Sequence, residues 1–129
     1  MQEIEVSTTE QVQFIDITDK VQIIVNSEKN ENGICTIFIP HTTAAVTINE
    51  NADPDVSADM IKEINKIIPF QDNYLHFEGN SAAHIKSSLI GASETVIIEK
   101  GRLKLGRWQG LYFCEFDGPR RRKVWINVT

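Results

Sequence analysis

The sequence predicts an α+β domain built mainly on antiparallel β-sheet with a few helices. Strand-like runs rich in β-branched and aromatic residues come mostly in adjacent pairs, and single helical segments split those pairs. No repeat, low-complexity tract or linker interrupts the chain, so its 129 residues read as one domain, 1–129. A 41% hydrophobic content supports a real core, and 24% charged residues is ordinary for a globular protein.

The elements follow in order. Residues 2–8 and 11–15 (QEIEVST, QVQFI) read as extended. Ile17, Val21, Ile24 and Val25 fall at helical spacing behind Asp16, an acceptable cap. Asn32-Gly33 ends that helix and opens the strand ICTIFI; after Pro40-His41, AAVTIN alternates apolar and polar residues. Asp53-Pro54 is a helix start, and Val56, Met60, Ile64 and Ile67 make its apolar stripe as far as Pro69. Residues 70–79 form a loop. Asn80 caps a short helix, Ser81–Ile90, stopped by Gly91, with Ala82, Ile85 and Leu89 as its apolar face and His84 on the polar one. Residues 94–99 are a strand, 101–106 a turn-rich link and 107–116 a long strand. DGPR is a tight turn, and RKVWINV closes a C-terminal hairpin.

Net charge is −5, which argues against a general nucleic-acid binder. Eight of the 13 Lys and Arg residues nonetheless crowd into the last thirty positions. That local cationic surface suits a small anionic ligand or an acidic partner subunit. The start, MQEIEVSTTE, has no basic or apolar leader character, and no apolar run is long enough to span a bilayer. A cytoplasmic location and no membrane contact are expected. Cys35 and Cys114 lie apart in apolar runs and read as buried free thiols.

All three histidines sit in polar clusters: His41 at a strand exit, His76 in a loop, His84 in the first turns of a helix. Three imidazoles with an open position can hold a catalytic metal. The spacing is no self-sufficient motif, so three unrelated histidines remain the competing reading. Gly79, Asn80 and Ser81 open a helix, where backbone N–H groups favour an anion; a plain Asn cap is compatible with that. Asn49 and Glu50, in NENADPD, offer oxygen acceptors for a hard cation or a general base, while Asp53 is better explained as a cap. Gln109 and Glu115 share a strand face with Leu111 and Phe113, so each needs a polar partner. Arg120, across the tight turn from Asp117, has the planar fork suited to phosphate; the rest of the RRRK run reads as solvated or interfacial.

Three stretches, HTTAAVTINENADPDV, HFEGNSAAHIKSSLIGAS and GRLKLGRWQGLYFCEFDGPRRRKVWINV, closely resemble the YjbQ family, also called the secondary thiamine-phosphate synthase family. The resemblance implies a cytoplasmic homotrimer with an α+β fold and a cleft gathering His41, His76 and His84, which this chain offers as ligands of a divalent metal, zinc or magnesium. It also implies weak thiamine-phosphate synthesis, in which hydroxymethylpyrimidine diphosphate is joined to thiazole phosphate and pyrophosphate is released. On that chemistry, Glu50, Glu78 and Glu115 are the candidate catalytic carboxylates. Asn49, Gly79, Asn80, Ser81, Gln109 and Arg120 are the candidate substrate and phosphate contacts, and the partners are a small phosphorylated substrate and further copies of the chain. The alternatives are a metal-dependent hydrolase of a small metabolite and a non-catalytic trimer that binds a small anion.

Overall fold

The computed structural model describes residues 1–129. Two antiparallel sheets and three helices make up the α+β fold. Sheet strands are β1 (Gln2–Ser7), β2 (Gln13–Asp16), β3 (Asn32–Phe38), β4 (Ala44–Glu50), β5 (Ser93–Glu99), β6 (Arg102–Leu103), β7 (Gln109–Glu115) and β8 (Arg121–Val128). The helices are α1 (Thr18–Glu28), α2 (Pro54–Ile67) and α3 (Ser81–Ile90). One sheet has the order β1-β8-β3-β5-β6 and the other β2-β7-β4.

The sheets pack face to face because their strands alternate. Cys35 and Ile37 on β3, Val96 and Ile98 on β5, and Val124 and Ile126 on β8 point inward. They meet Ala44 and Val46 of β4 and Leu111 and Phe113 of β7, and α1 adds Val21 and Val25 to the same core. The small sheet's other face carries Ala45, Tyr112, Cys114 and Phe116, which meet Ala83 of α3 and Ile64 of α2. The result is three layers, with α2 and α3 on one side only. No helix is long and apolar enough to cross a membrane.

Three expectations are corrected here. The turn after β7 does not close a hairpin: β7 pairs with β2 and β4, whereas β8 pairs with β1 and β3. Residues 116–120 therefore cross from one sheet to the other. Strand neighbours are likewise mostly distant in sequence; β3 pairs with β5 across α2 and α3. The packed face of α3 is also different. Ala82, Ala83, Lys86 and Ser87 are buried, while Ile85 and Leu89 are exposed. Two adjacent alanines let the helix lie close on the sheet, and the larger side chains take the outer face. The two cysteines are buried and free. Burial pushes the Cys35 thiol up to about 11, which leaves it unreactive.

Candidate functional site

Segment 39–43, between β3 and β4, is the floor of the site. Its backbone is tied on several sides: Ile39 N donates to Ala92 O at 2.7 Å, and Phe116 N donates to Thr43 O at 3.2 Å. The Ser87 hydroxyl of α3 donates to Thr42 O at 2.5 Å. This tether brings the helix that carries His84 against the segment that carries His41. Both imidazoles border one cleft of about 760 Å³, together with Thr42, Glu78, Asn80, Asp117, Arg120 and Arg122.

Beneath the cleft lies a buried ion pair. Arg122 Nε donates to Glu115 Oε1 at 2.9 Å and to Oε2 at 3.1 Å, and Nη2 reaches Glu115 Oε2 and the Thr43 hydroxyl. Glu115 is fully buried, and Arg122 is 3% exposed. Thr8 Oγ1 donates to Glu115 Oε1 at 2.8 Å, and Asp117 N donates to Oε2 at 3.1 Å. Burial alone would raise the Glu115 pKa, but Arg122, Thr8 and the Asp117 amide outweigh it and hold it below the ordinary value. The carboxylate stays charged and fixes Arg122. With Nε and Nη2 committed, Nη1 is the edge of Arg122 left for the cleft it lines.

The upper wall is a second chain of contacts. Asn80 Nδ2 donates to Asp117 Oδ2 at 3.0 Å, and Arg120 Nη2 pairs with the same oxygen at 3.1 Å. Arg120 Nε donates to Asp117 O at 2.8 Å, so the guanidinium is held but half exposed. Asn80 therefore spends its side chain on Asp117 and makes no cap bond to α3, contrary to the capping expectation. Its Oδ1 is buried without a partner.

His41 Nε2 accepts a hydrogen bond from Lys123 N at 2.9 Å. Burial and the nearby Arg122 guanidinium also lower its pKa from the ordinary histidine value. The ring is thus neutral, with its Nε2 lone pair occupied and its proton on Nδ1. His76 and His84 stand edge to face, with ring centroids 5.9 Å apart, and His76 Nε2 lies 3.7 Å from Glu78 Oε1. No group of three or more His, Cys, Asp or Glu side chains is placed to hold a metal ion. A metal centre on His41, His76 and His84 does not fit this arrangement, because the His41 lone pair is taken by a backbone amide.

The sequence-derived candidates divide cleanly. His41, Glu78, Asn80, His84 and Arg120 share the cleft. His76 joins its rim through His84, with Gly79 and Ser81 beside it in the neighbouring hollows. Glu115 is in the site but below it, holding Arg122 rather than facing a ligand. Asn49, Glu50 and Gln109 are elsewhere. Glu50 pairs with Gln109, and Ala44 with Glu115. Six residues of strand carry the first pair about 20 Å from the second. There Asn49 Oδ1 accepts from Glu50 N, and Gln109 Oε1 accepts from Gly106 N, which are strand-end contacts. Thr42, Thr43, Asp117 and Arg122 were not singled out as ligand contacts. Arg122 was readable: it alternates with Val124 and Ile126 along β8, so it shares their inward face.

Comparison with known proteins places this geometry among relatives. The family model described as UPF0047 protein YjbQ-like matches residues 2–129. The UPF0047 protein YugU of Bacillus subtilis is 49% identical over 126 residues, covering 97% of this chain and 96% of that protein. A UPF0047 protein of Methanocaldococcus jannaschii is 48% identical over 124 residues, covering 96% and 90%. The crystal structure of an uncharacterized YjbQ/UPF0047 protein from Clostridium acetobutylicum superposes with a TM-score of 0.98 at 51% identity, covering 100% of both chains. A YbjQ-like protein of unknown function from Sulfolobus solfataricus superposes with a TM-score of 0.94 at 33% identity, covering 98% and 94%.

Proposed function

The chain belongs to the YjbQ-like UPF0047 family, and from that premise we propose that it is a weak thiamine-phosphate synthase-type transferase. It would join hydroxymethylpyrimidine diphosphate to thiazole phosphate and release pyrophosphate. The identity of both substrates comes from the family resemblance. The observation that supports phosphate chemistry is the cleft in which Arg120 and the free edge of Arg122 stand beside His41 and His84.

In this reaction the bond between the pyrimidinylmethyl carbon and its bridging oxygen breaks, and the electron pair leaves with pyrophosphate. The thiazole nitrogen then donates its lone pair to the same carbon. Charge develops on the departing oxygens, so fixed donors aimed at them lower the barrier. Arg120 and Arg122 supply two such edges, and the His41 Nδ1–H and His84 supply shorter-range donors. Glu78 and Asp117 are the carboxylates that remain to face positive charge on the pyrimidinyl group. The unpartnered Asn80 Oδ1 suits an N–H or O–H of the ligand. A divalent metal, zinc or magnesium, has no step here, since the three histidines do not offer it a ligand set.

The test is pyrophosphate release from hydroxymethylpyrimidine diphosphate, with and without thiazole phosphate. Release that depends on thiazole phosphate and falls in His84→Ala supports the transferase. Release without it marks a hydrolase, and no release in either case overturns both enzyme readings.

We also infer that copies of the chain associate, as a trimer, through the outer face of the large sheet. Ile34, Phe38 and Ile97 are exposed there, and Phe38 stacks on Trp125 at 5.8 Å. No helix covers this apolar centre, and charged residues such as Glu3 and Lys123 border it, as in a protein interface. Phe38 also lines the cleft, so the contact would wall off one side of the site. Two buried free thiols suit a reducing compartment, the cytoplasm.

A further inference from the structure

His84 borders more than the polar cleft. On its other side is a hollow of about 530 Å³ lined by Tyr74, Leu75, His76, Ser81, His84 and Ile85. Apart from the two imidazoles and Ser81, the walls are carbon. Tyr74 turns its hydroxyl away to donate to Pro69 O at 2.5 Å, leaving its ring for the hollow. Leu75 is 96% exposed, and Ile85 is exposed on the outer face of α3. That apolar surface stands in water beside a site whose other half is charged, an unfavourable placement unless something covers it.

An apolar hollow and a charged cleft that meet at one imidazole are the shape complement of an amphiphilic molecule. We propose that Tyr74, Leu75 and Ile85 hold the uncharged aromatic or alkyl group of a phosphorylated ligand, and so determine which phosphate esters the site accepts. The phosphate of that ligand lies in the Arg120 cleft, and the bond between the two groups lies at His84. This rests on the phosphate reading of the cleft and adds the ligand's second half. A bare phosphate would occupy one hollow and leave the other wet. An ester with an apolar group would fill both and remove Leu75 and Ile85 from water, which favours it over small polar phosphates. Ile85 is the specificity-determining side chain, because α3 holds it rigidly next to His84.

The test is calorimetric titration of the full chain with inorganic phosphate, methyl phosphate and phenyl phosphate. Wild type is expected to bind phenyl phosphate about tenfold more tightly than methyl phosphate. Ile85→Ser should remove that preference without adding charge, whereas Arg120→Ala should weaken both esters alike. Leu75→Ser, in a loop, gives the same reading should Ile85→Ser fail to fold. Equal affinity for the two esters in wild type overturns the proposal, as does a preference that survives both substitutions. A drop in assembly mass in Ile85→Ser, with the preference intact, would assign the patch to a second copy of the chain. Should no phosphate bind wild type at all, the cleft reading itself fails and takes this inference with it.

Discussion

Arg122 and Glu115 form a buried pair in which one guanidinium engages both carboxylate oxygens, seven residues apart in sequence and in different sheets. The pair locks the two sheets together and, through the fixed guanidinium, shapes the cleft floor. Removing one member leaves an uncompensated buried charge. Glu115→Ala is therefore expected to lose about 3–5 kcal/mol of stability, measured by urea unfolding. A loss below about 1 kcal/mol, the range of a surface pair, would contradict this account.

The same pair sets a pH dependence. The folded Glu115 pKa lies below its ordinary value of 4.5, so the unfolded chain takes up the proton first. Its contribution to stability is present above pH 4.5 and is lost as pH falls through the folded pKa. Stability measured from pH 6 downward should drop less steeply below pH 4.5 in Glu115→Gln than in wild type.

Lys86 gives a dependence of the same sign in a more alkaline window. It is fully buried, with Nζ bonded to Asn65 Oδ1 at 2.6 Å and lying 3.7 Å from the Phe70 ring centroid. No carboxylate pairs with it, and burial lowers its pKa from 10.5 to about 8. Between those values the unfolded chain holds a proton that the folded chain has lost, so stability from this group rises with pH. The stability of wild type minus that of Lys86→Met should be flat below pH 7 and climb between pH 8 and 10. A flat difference across that window would show that the ammonium is not desolvated.

Arg120 is held only at the surface, so its removal should separate binding from stability. Arg120→Ala is expected to change stability by less than about 0.5 kcal/mol. It should weaken pyrophosphate binding by about tenfold, the scale of one charge-assisted contact. Titration with pyrophosphate alongside thermal unfolding distinguishes the two effects.

Self-association has its own probe. Ile97 sits opposite Ile34 at the centre of the outer sheet face and is 63% exposed. A charge there should block docking without touching the core. Light scattering should give a trimer mass for wild type and a monomer mass for Ile97→Asp; a wild-type monomer would overturn the interface.

Local chemistry made much of this fold readable. Asp53 does cap α2, accepting from Asp55 N at 2.9 Å, and Ser81–Ile90 has the expected bounds although Asn80 makes no cap bond. What failed was long-range. DGPR reads as a hairpin turn because turn residues report a change of direction, not the partner of the strand that follows. Asn49 and Glu50 lie near His41 in sequence, but β4 carries them to its far end. On α3, Ala82 marked the packed face but Ile85 and Leu89 did not, since small side chains let the helix lie close on the sheet. In the candidate site, an arginine within a charge run gave no sign of burial except its alternation with Val124 and Ile126.

The crossover at residues 116–120 has a mechanical meaning. Asp117 and Arg120 stand on the strap that passes from the small sheet to the large one, and Thr8 of the N-terminal segment fastens that strap, accepting from Arg120 N at 2.9 Å. A molecule gripped by Arg120 and His84 would span the strap and a helix of the third layer at once. Occupancy would act as a rivet through all three layers, so the filled protein should resist heat and proteases better than the empty one, even where turnover is slow.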